Sequence, residues 1–112
     1  MATSYKDLNP KAAIVAAGTL VAKPGKANEL AQWFANLKAR ADSDIEPGTL
    51  RYHIVRNGDL FAVWEEYANA EALELHVEQN ELFKEFIALE LFELTKSAFY
   101  SGNSLPVPTK SF

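Results

Sequence analysis

The sequence predicts an α+β fold, in which a four-stranded antiparallel sheet carries helices on one face. Strand-like and helix-like segments follow one another in the order β-α-β-β-α-α-β, which is the ferredoxin-like order with its second helical segment divided in two. Asn57-Gly58 lies between two strand-like runs, and this dipeptide is the strongest short hairpin signal that a sequence offers. The first helical run keeps its large apolar side chains on one stripe, as a helix packed against a sheet does.

Length and composition indicate one domain and argue against several kinds of partner. The 112 residues are 48% hydrophobic and 23% charged, as in ordinary globular proteins. The net charge of −4 comes with no cluster of lysine or arginine, so we expect no nucleic-acid partner. No apolar run approaches the roughly 20 residues that cross a bilayer, so we expect no membrane partner. The absence of cysteine excludes disulfides and thiolate metal sites, and with no secretory signal in view we expect a cytoplasmic location.

The first part of the chain is predicted to form an arm, a strand and a helix. Residues 1–11 are expected to be a flexible arm, and residues 12–22 a strand with no polar face. Lys23-Pro24-Gly25-Lys26 ends that strand. A helix follows over residues 26–43, and its inward stripe consists of Leu30, Phe34, Leu37 and Ala41.

The middle of the chain is predicted to form the hairpin. Glu46-Pro47-Gly48 makes the turn into the second strand, where Leu50, Tyr52 and Ile54 alternate with Arg51, His53 and Val55. If Tyr52 faces the helices, His53 and Arg51 face solvent or a partner subunit. The third strand covers residues 60–67. Glu65 and Glu66 are adjacent in it and point apart, which argues against a glycosidase-like carboxylate pair, and either one can pair with Arg51.

The last part of the chain is predicted to contain two helices and the fourth strand. Asn69 can cap a helix over residues 70–76. A second helical run over residues 80–94 is dense in large apolar side chains, and residues 96–102 are the predicted last strand. The domain is therefore expected to span residues 12–101. An extended tail follows over residues 102–112, because its two prolines are incompatible with a helix.

Both faces of the predicted sheet need to be covered. Helices cover only one face of a four-stranded sheet, yet the first and third strands carry apolar or small side chains on both faces. An open face of that kind would be a large apolar patch, which soluble monomers rarely expose. We therefore predict a homodimer in which two copies pack sheet against sheet.

Three runs of the chain resemble a known family. They are VAKPGKANELAQWF, EPGTLRYHIVRNGD and VWEEYANAEALELHVEQNELFKEF, and the match covers roughly residues 12–101. The most specific pieces are Pro24-Gly25 at the start of the helix, the EPG-x-LRY run, the aromatic-Glu-x-aromatic cluster WEEY and the A-L-x-x-H run that ends at His76. In this order and spacing they make the chain similar to the antibiotic biosynthesis monooxygenase domain, within the dimeric α+β barrel superfamily.

The resemblance implies a homodimer in which each subunit holds an apolar pocket between its own sheet and helices. Many members of this family oxidise quinols, anthrones or related aromatics with O2 as co-substrate and with no flavin, metal or haem, so we expect no cofactor. Haem-degrading relatives carry an axial histidine where this chain has Phe86 or Ile87, so haem is disfavoured. The chain also has Tyr67 where many relatives have tryptophan, and Gln79-Asn80-Glu81-Leu82-Phe83 where many have Ser-Pro-His-Phe.

The candidate catalytic residues are His76, Tyr67 and Tyr52. His76 lies on the inward stripe of its helix, so it is either a buried histidine bonded to a backbone carbonyl or a base at the pocket rim. An imidazole suits the second role because its unperturbed pKa of about 6.5 lets it accept a proton near neutral pH. Tyr67 or Tyr52 can donate a hydrogen bond to a substrate oxygen. His53 is expected at the dimer interface, and two histidines 23 positions apart make a poor metal site.

The expected pocket walls are aromatic and aliphatic side chains. The candidates are Trp64, Phe34, Leu82, Phe83 and Trp33, each of which can also be an ordinary packing residue. Trp64 and Tyr67 fall on opposite faces of a regular third strand, so we expect one of them at the pocket and the other at the dimer interface.

The function that this pattern favours is cofactor-independent oxygenation of a small aromatic, quinol or polyketide-like substrate. Such an enzyme needs a base, a donor for the developing oxyanion and an apolar cavity that excludes water. Two alternatives stay open. The same base and donor can isomerise or cyclise a small carbonyl compound without oxygen, or the chain can be a binding module for a small aromatic molecule with no chemistry of its own.

Overall fold

The computed structural model describes residues 5–101, which form a four-stranded antiparallel sheet and three helices. The strands are Ile14–Ala22 (β1), Thr49–Asn57 (β2), Leu60–Tyr67 (β3) and Phe92–Ser101 (β4). The helices are Ala27–Ala41 (α1), Ala70–Val77 (α2) and Glu81–Ala88 (α3), and a 3-10 turn over Tyr5–Asp7 precedes β1. The strand order β2-β3-β1-β4 confirms the predicted ferredoxin-like α+β fold. No helix within residues 5–101 is long and apolar enough to cross a membrane.

The hairpin and the first helix form where the sequence places them. Gly58 adopts a φ of 62°, a left-handed conformation that glycine reaches at no steric cost, and β2 and β3 pair antiparallel on either side of it. The four residues of the predicted inward stripe of α1, Leu30, Phe34, Leu37 and Ala41, are all buried. They pack with Leu20 of β1 and Phe61 of β3 in the main hydrophobic core.

The boundary between α3 and β4 corrects the predicted helix over residues 80–94. The helix ends at Ala88, Glu90 takes a left-handed φ of 50°, and β4 begins at Phe92. Phe92 and Leu94 pair with Ala22 and Leu20 of β1. The dense apolar side chains of this run predict a helix, but a dense run does not distinguish a helical period from a strand period.

The segment before β1 packs against the domain. Tyr5 is buried, its ring lies 5.6 Å from that of Phe99, and its hydroxyl donates a hydrogen bond of 3.0 Å to Oε2 of Glu78. The backbone N–H of Ala70 donates to the carbonyl of Pro10. Residues 5–10 of the predicted arm are thus in contact with α2 and β4. Residues 1–4 and the predicted tail over residues 102–112 lie outside the described residues.

The two faces of the sheet differ in composition. Ile14 and Leu20 of β1, with Tyr52 of β2, Tyr67 of β3 and Phe99 of β4, point toward the helices. The opposite surface, which we call the open face, carries exposed apolar side chains. They are Val55, Leu60, Trp64 and Tyr100.

Candidate active site

A cavity of about 320 Å³ lies between the helices and the sheet. Phe34 of α1, Leu73 of α2 and Phe83 of α3 form its helical walls, and all four strands contribute to its floor. This volume is at the lower end of the roughly 300–1,000 Å³ that small-molecule pockets occupy. The lining is apolar apart from three side chains, Glu65, Tyr52 and Ser97, and Glu65 is the one acidic or basic residue among the lining residues described.

Strand alternation directs Glu65 into this cavity. Its cross-strand neighbours are Ala16 on β1 and Tyr52 on β2, and both also line the cavity. Tyr67 lies two residues further along β3 on the same face, and its hydroxyl donates a hydrogen bond to Oε1 of Glu65. Tyr67 is fully buried, so this contact holds the carboxyl group in a fixed position at the cavity wall.

The surroundings of Glu65 make its carboxyl group bind a proton more readily than a glutamate in water does. Burial raises the pKa of Glu65, and the hydrogen bond from Tyr67 and the nearby His76 offset only part of that rise. Burial and the neighbouring Glu65 carboxylate also raise the pKa of Tyr67 and of Tyr52. Both phenols therefore keep their protons near neutral pH. The cavity combines a carboxyl group that binds a proton more readily than usual with phenol donors beside it.

A second buried carboxylate lies behind the cavity, at Glu46. We call its surroundings the Glu46 cluster, which comprises Glu46, Arg40, Thr49, His76 and Asn80. Glu46 accepts hydrogen bonds from Nδ1 of His76 at 2.8 Å, Nε of Arg40 at 2.9 Å, Oγ1 of Thr49 at 3.1 Å and Nδ2 of Asn80 at 3.3 Å. The cluster joins α1, α2, the start of β2 and the start of α3, where the side-chain oxygen of Asn80 also caps the helix.

The Glu46 carboxylate fixes the orientation of His76. Burial alone would raise the pKa of Glu46, but hydrogen bonds from His76, Thr49 and Arg40 outweigh burial and lower it. Glu46 is therefore an anion that accepts the Nδ1–H proton of His76. The other ring nitrogen of His76, Nε2, is buried and has no hydrogen-bond partner within residues 5–101.

His76 lies behind the cavity wall rather than at its rim. The imidazole is fully buried, and its ring centre lies 5.0 Å from that of Tyr52 and 5.2 Å from that of Phe83. Both of those aromatic rings line the cavity, whereas His76 does not. The partner of its Nδ1 is a side-chain carboxylate and not the backbone carbonyl that an ordinary buried histidine was expected to use.

The predicted site residues divide into four groups, three of which lie on the helix-covered side of the sheet. Tyr52, Phe34 and Phe83 line the cavity. Tyr67 and His76 lie directly behind that wall, and the ring of Tyr67 lies 5.8 Å from that of His76. Leu82 and Trp33 are partly buried, pack against the hydrophobic core and do not line the cavity.

Trp64 lies on the open face, on the other side of the sheet from Tyr67, as the alternation along β3 predicts. Its indole N–H donates a 2.7 Å hydrogen bond to Oε2 of Glu66. With His53 and Tyr100 it lines a separate concavity of about 280 Å³. Trp64 is therefore not a wall of the cavity that contains Glu65.

The two buried glutamates, Glu46 and Glu65, are not among the site residues that the sequence predicts. Glu65 was treated like Glu66, as a possible partner of Arg51, but Arg51 pairs with Glu66 at 3.3 Å and Glu65 points inward. Alternation was a usable signal, because a residue two positions from an inward Tyr67 faces the same side. For Glu46 no such signal exists, since two of its partners lie 30 and 34 positions along the chain.

The described residues contain no group of three or more histidine, cysteine, aspartate or glutamate side chains placed to hold a metal ion. Glu46 and His76 lie together, but their facing atoms already bind each other. The chemistry that this arrangement can perform is proton transfer at the carboxyl group of Glu65, inside an apolar cavity with phenol donors.

Comparison with known proteins places this geometry in a family. A model of the antibiotic biosynthesis monooxygenase family matches residues 13–89, which include Glu46, Glu65 and His76. No curated protein matches the chain.

Solved structures show the same fold. A candidate antibiotic biosynthesis monooxygenase from Caulobacter crescentus CB15 is 25% identical, with a TM-score of 0.73 over 89% of this chain and 98% of its own. A protein from Pseudomonas aeruginosa is 24% identical, with a TM-score of 0.68 over 88% of this chain and 100% of its own. A conserved protein of unknown function from Bacteroides thetaiotaomicron VPI-5482 is 20% identical, with a TM-score of 0.69 over 81% of this chain and 98% of its own.

Proposed function

Because the chain belongs to the antibiotic biosynthesis monooxygenase family, we propose that it oxidises a small uncharged hydroxyaromatic substrate, such as a quinol or an anthrone, with O2 and without a cofactor. The observation that carries this proposal is the position of Glu65. Among the described residues that line the apolar cavity of about 320 Å³, Glu65 is the one acidic or basic residue, and burial raises its pKa. A general base works best when its pKa lies near the working pH, and a raised glutamate pKa approaches that condition.

In the proposed reaction the substrate supplies the electrons. Glu65 takes a proton from the substrate and leaves an electron-rich anion. The anion donates electrons to O2 and forms a carbon–oxygen bond, and the resulting peroxide takes the proton back from Glu65. Loss of the remaining proton on that carbon breaks the O–O bond, so the carbon becomes a carbonyl and the second oxygen atom leaves as water. An anthrone and O2 thus give an anthraquinone and water, and the balance requires no further reductant.

Tyr52 is the proposed donor to the substrate anion. Its ring lines the cavity, and its raised pKa keeps the hydroxyl protonated near neutral pH. Tyr67 is committed to Glu65, so its proposed role is to hold the carboxyl group in place. The apolar walls exclude water, which strengthens both hydrogen bonds in the reacting state.

His76 is a second candidate for the proton acceptor. Its Nε2 is buried without a partner among the described residues, and its Nδ1 is held by Glu46. Tyr52 and Phe83 separate it from the cavity, so it serves as a base only if one of these rings moves aside. We therefore assign the proton transfer to Glu65 and assign to His76 the positioning of Tyr52 and Phe83.

The proposed assembly is a homodimer with two open faces packed together. Leu60, Tyr100, Val55 and Trp64 are 58%, 51%, 51% and 44% exposed on this face. Val55, Trp64 and Tyr100, together with the alanines of the central strands, line the concavity of about 280 Å³. A second copy would bury these side chains, and exposed apolar patches of this kind mark protein–protein contacts in soluble proteins.

Oxygen uptake with a panel of quinols and anthrones tests the proposed activity. We expect turnover above the uncatalysed rate for at least one substrate. Glu65→Gln keeps the shape of the side chain and should lower kcat about 10²- to 10⁴-fold, the usual contribution of a general base. Glu85→Gln, at an exposed position of α3, is the matched control and should leave kcat within about twofold. Turnover in Glu65→Gln equal to that of the control would contradict the role of Glu65.

The isomerase alternative is favoured by the same pairing of a carboxylate base with a phenol donor, because enolisation needs both groups. The two functions differ in their need for oxygen. The same panel, extended to small carbonyl compounds and run under strict anaerobiosis, separates them. Product formed without O2 at the aerobic rate would assign the site to isomerisation or cyclisation, whereas an oxygenase should form none.

A further inference from the structure

The cavity has a closed end and an open end. At the closed end Leu73 is buried, and Phe99 is backed by the ring of Tyr5 at 5.6 Å. At the open end Ile87 of α3 and Leu94 of β4 line the cavity, yet they are 45% and 59% exposed. We call the pair Ile87 and Leu94 the mouth.

Strand register gives the separation, measured along the strands, between the position of Glu65 and the mouth. Glu65 pairs with Ala16 on β1, and Leu94 pairs with Leu20 on the same strand. These positions are four residues apart on β1, which is about 13 Å along a strand. Helix α3 runs in the same sense, since Phe83 packs on His76 near the carboxyl group and Ile87 lies one turn further toward the mouth.

We infer that the substrate carries an apolar extension, on the side of its ring opposite the ionisable hydroxyl, that reaches from the region of Glu65 to the mouth. This inference rests on the proposed function, in which the hydroxyl end of the ring lies at Glu65. A compact two-ring head anchored there spans only part of the 13 Å or so to Leu94. The described residues that line the remaining part of the cavity include Leu20, Phe92 and the mouth, and none of these is charged.

The gain from filling this part of the cavity follows from apolar burial. Each methylene group that leaves water for an apolar site should tighten binding about fourfold. The gain should stop once the extension passes Leu94, because further carbons would lie in solvent. The structure therefore predicts affinity that rises with length and then reaches a plateau.

The experiment uses 2-naphthols with hydrogen, methyl, ethyl, propyl or butyl at position 6, at the far end of the ring system from the hydroxyl. Their dissociation constants are measured by isothermal titration calorimetry on the full chain, without turnover. We expect affinity to rise about fourfold per added carbon over the first members of the series. Affinity that does not change with length would overturn the inference.

Two variants test whether the rise in affinity comes from contacts with the mouth or only from the greater apolarity of the longer ligands. Ile87→Gln combined with Leu94→Thr alters exposed side chains only, so the fold should persist. It should flatten the rise for the longer members and leave the affinity for unsubstituted 2-naphthol within about twofold. Leu75→Gln, at a position of α2 that is 40% exposed and does not line the cavity, is the matched control and should retain the full rise.

The outcomes separate this inference from the proposed function. A length dependence that the mouth variant flattens supports the inference even if no quinol or anthrone consumes oxygen. An equal length dependence in the mouth variant and in the wild type would overturn it even if the oxygenase activity is found. Binding without length dependence would equally overturn it.

Discussion

The helix-covered face and the open face of one sheet differ in where they keep their polar groups. On the covered face Glu46, Glu65 and His76 lie inside the protein, and the two carboxyl groups accept hydrogen bonds from neighbouring side chains. On the open face the carboxyl group of Glu66 meets Arg51 at the surface, while Trp64 is exposed. The difference teaches that two adjacent glutamates, Glu65 and Glu66, can have opposite roles because the strand turns them to opposite sides.

The two faces also have different proposed roles, catalysis for the covered face and dimerisation for the open face. The covered face holds the cavity in which a buried carboxyl group can exchange a proton. The open face has the apolar area that a second copy needs. The predictions below sharpen this contrast, beginning with the largest expected effect.

Removing the buried carboxylate of the Glu46 cluster should cause the largest loss of stability. Glu46→Ala leaves Arg40, His76 and Asn80 without their shared acceptor and should lower the free energy of unfolding by about 3–5 kcal/mol. Glu66→Ala removes an exposed pair and should cost about 0.2–1 kcal/mol. Urea denaturation at one fixed protein concentration measures both. Similar losses for the two variants would contradict the contrast between the faces.

The cost of Glu46→Ala should depend on pH. Because the folded state lowers the pKa of Glu46, the carboxylate stabilises the fold above its unfolded value of about 4.3. That contribution should disappear as the pH falls through the folded pKa. The wild type and Glu46→Ala should therefore converge in stability in acid.

Placing a charge on the open face should weaken the proposed dimer. Trp64→Lys puts an ammonium group where an aromatic side chain would be buried by the partner, and should raise the dimer dissociation constant at least 30-fold, or about 2 kcal/mol. Leu75→Lys, on the outer side of α2, should leave it unchanged. Sedimentation equilibrium measures both. A wild-type chain that remains monomeric at micromolar concentration would contradict the proposed assembly.

The cavity should discriminate against anions. Glu65 is the one acidic or basic residue in its described lining, so an anionic group next to the substrate hydroxyl meets a like charge in an apolar site. We expect 3-sulfo-2-naphthol to bind at least tenfold, or about 1.4 kcal/mol, more weakly than 2-naphthol. Glu65→Gln should reduce the difference in affinity between the two compounds. An anion that binds as well as the neutral compound would indicate a site on the open face, where Lys96 and His53 line the concavity.

The smallest effect expected is a gain in stability from Glu65→Gln. Burial raises the pKa of Glu65, so the ionised form destabilises the fold increasingly as the pH rises from about 4.3 to the folded pKa. The neutral amide can still accept the hydrogen bond from Tyr67. We expect the variant to be about 1 kcal/mol more stable than the wild type at pH 7 and equally stable below pH 4 or so. Glu85→Gln should show no such pH-dependent gain, and a variant less stable than the wild type at pH 7 would contradict the proposed burial cost.

Local signals were enough to predict much of the fold. The Asn57-Gly58 turn and the apolar stripe of α1 depend on neighbours within a few residues, and both form as predicted. The start of β4 does not form where it was predicted. The run over residues 91–94 is apolar enough for a helix or a strand, and pairing with β1 makes it a strand. Tertiary contacts therefore set this boundary, which the local pattern predicts wrongly.

The candidate site was less accessible to sequence analysis. Tyr52 and Phe83 were selected as aromatic residues on inward faces, and both line the cavity. Glu65 was overlooked because a glutamate in a strand is usually an exposed residue, and its environment becomes visible only when α2 and α3 cover the sheet. Glu46 brings together side chains from distant parts of the chain, so its role depends on the finished fold.

A crystal structure of the protein with 2-naphthol bound tests the account most directly, because it locates a ligand on one face of the sheet or the other. We predict that the naphthol hydroxyl lies within hydrogen-bond distance of the Glu65 carboxyl group, with the rings between Tyr52 and Phe83 and a second copy on the open face. A naphthol seated instead against Trp64 and Tyr100, with the cavity around Glu65 left without ligand, would contradict it.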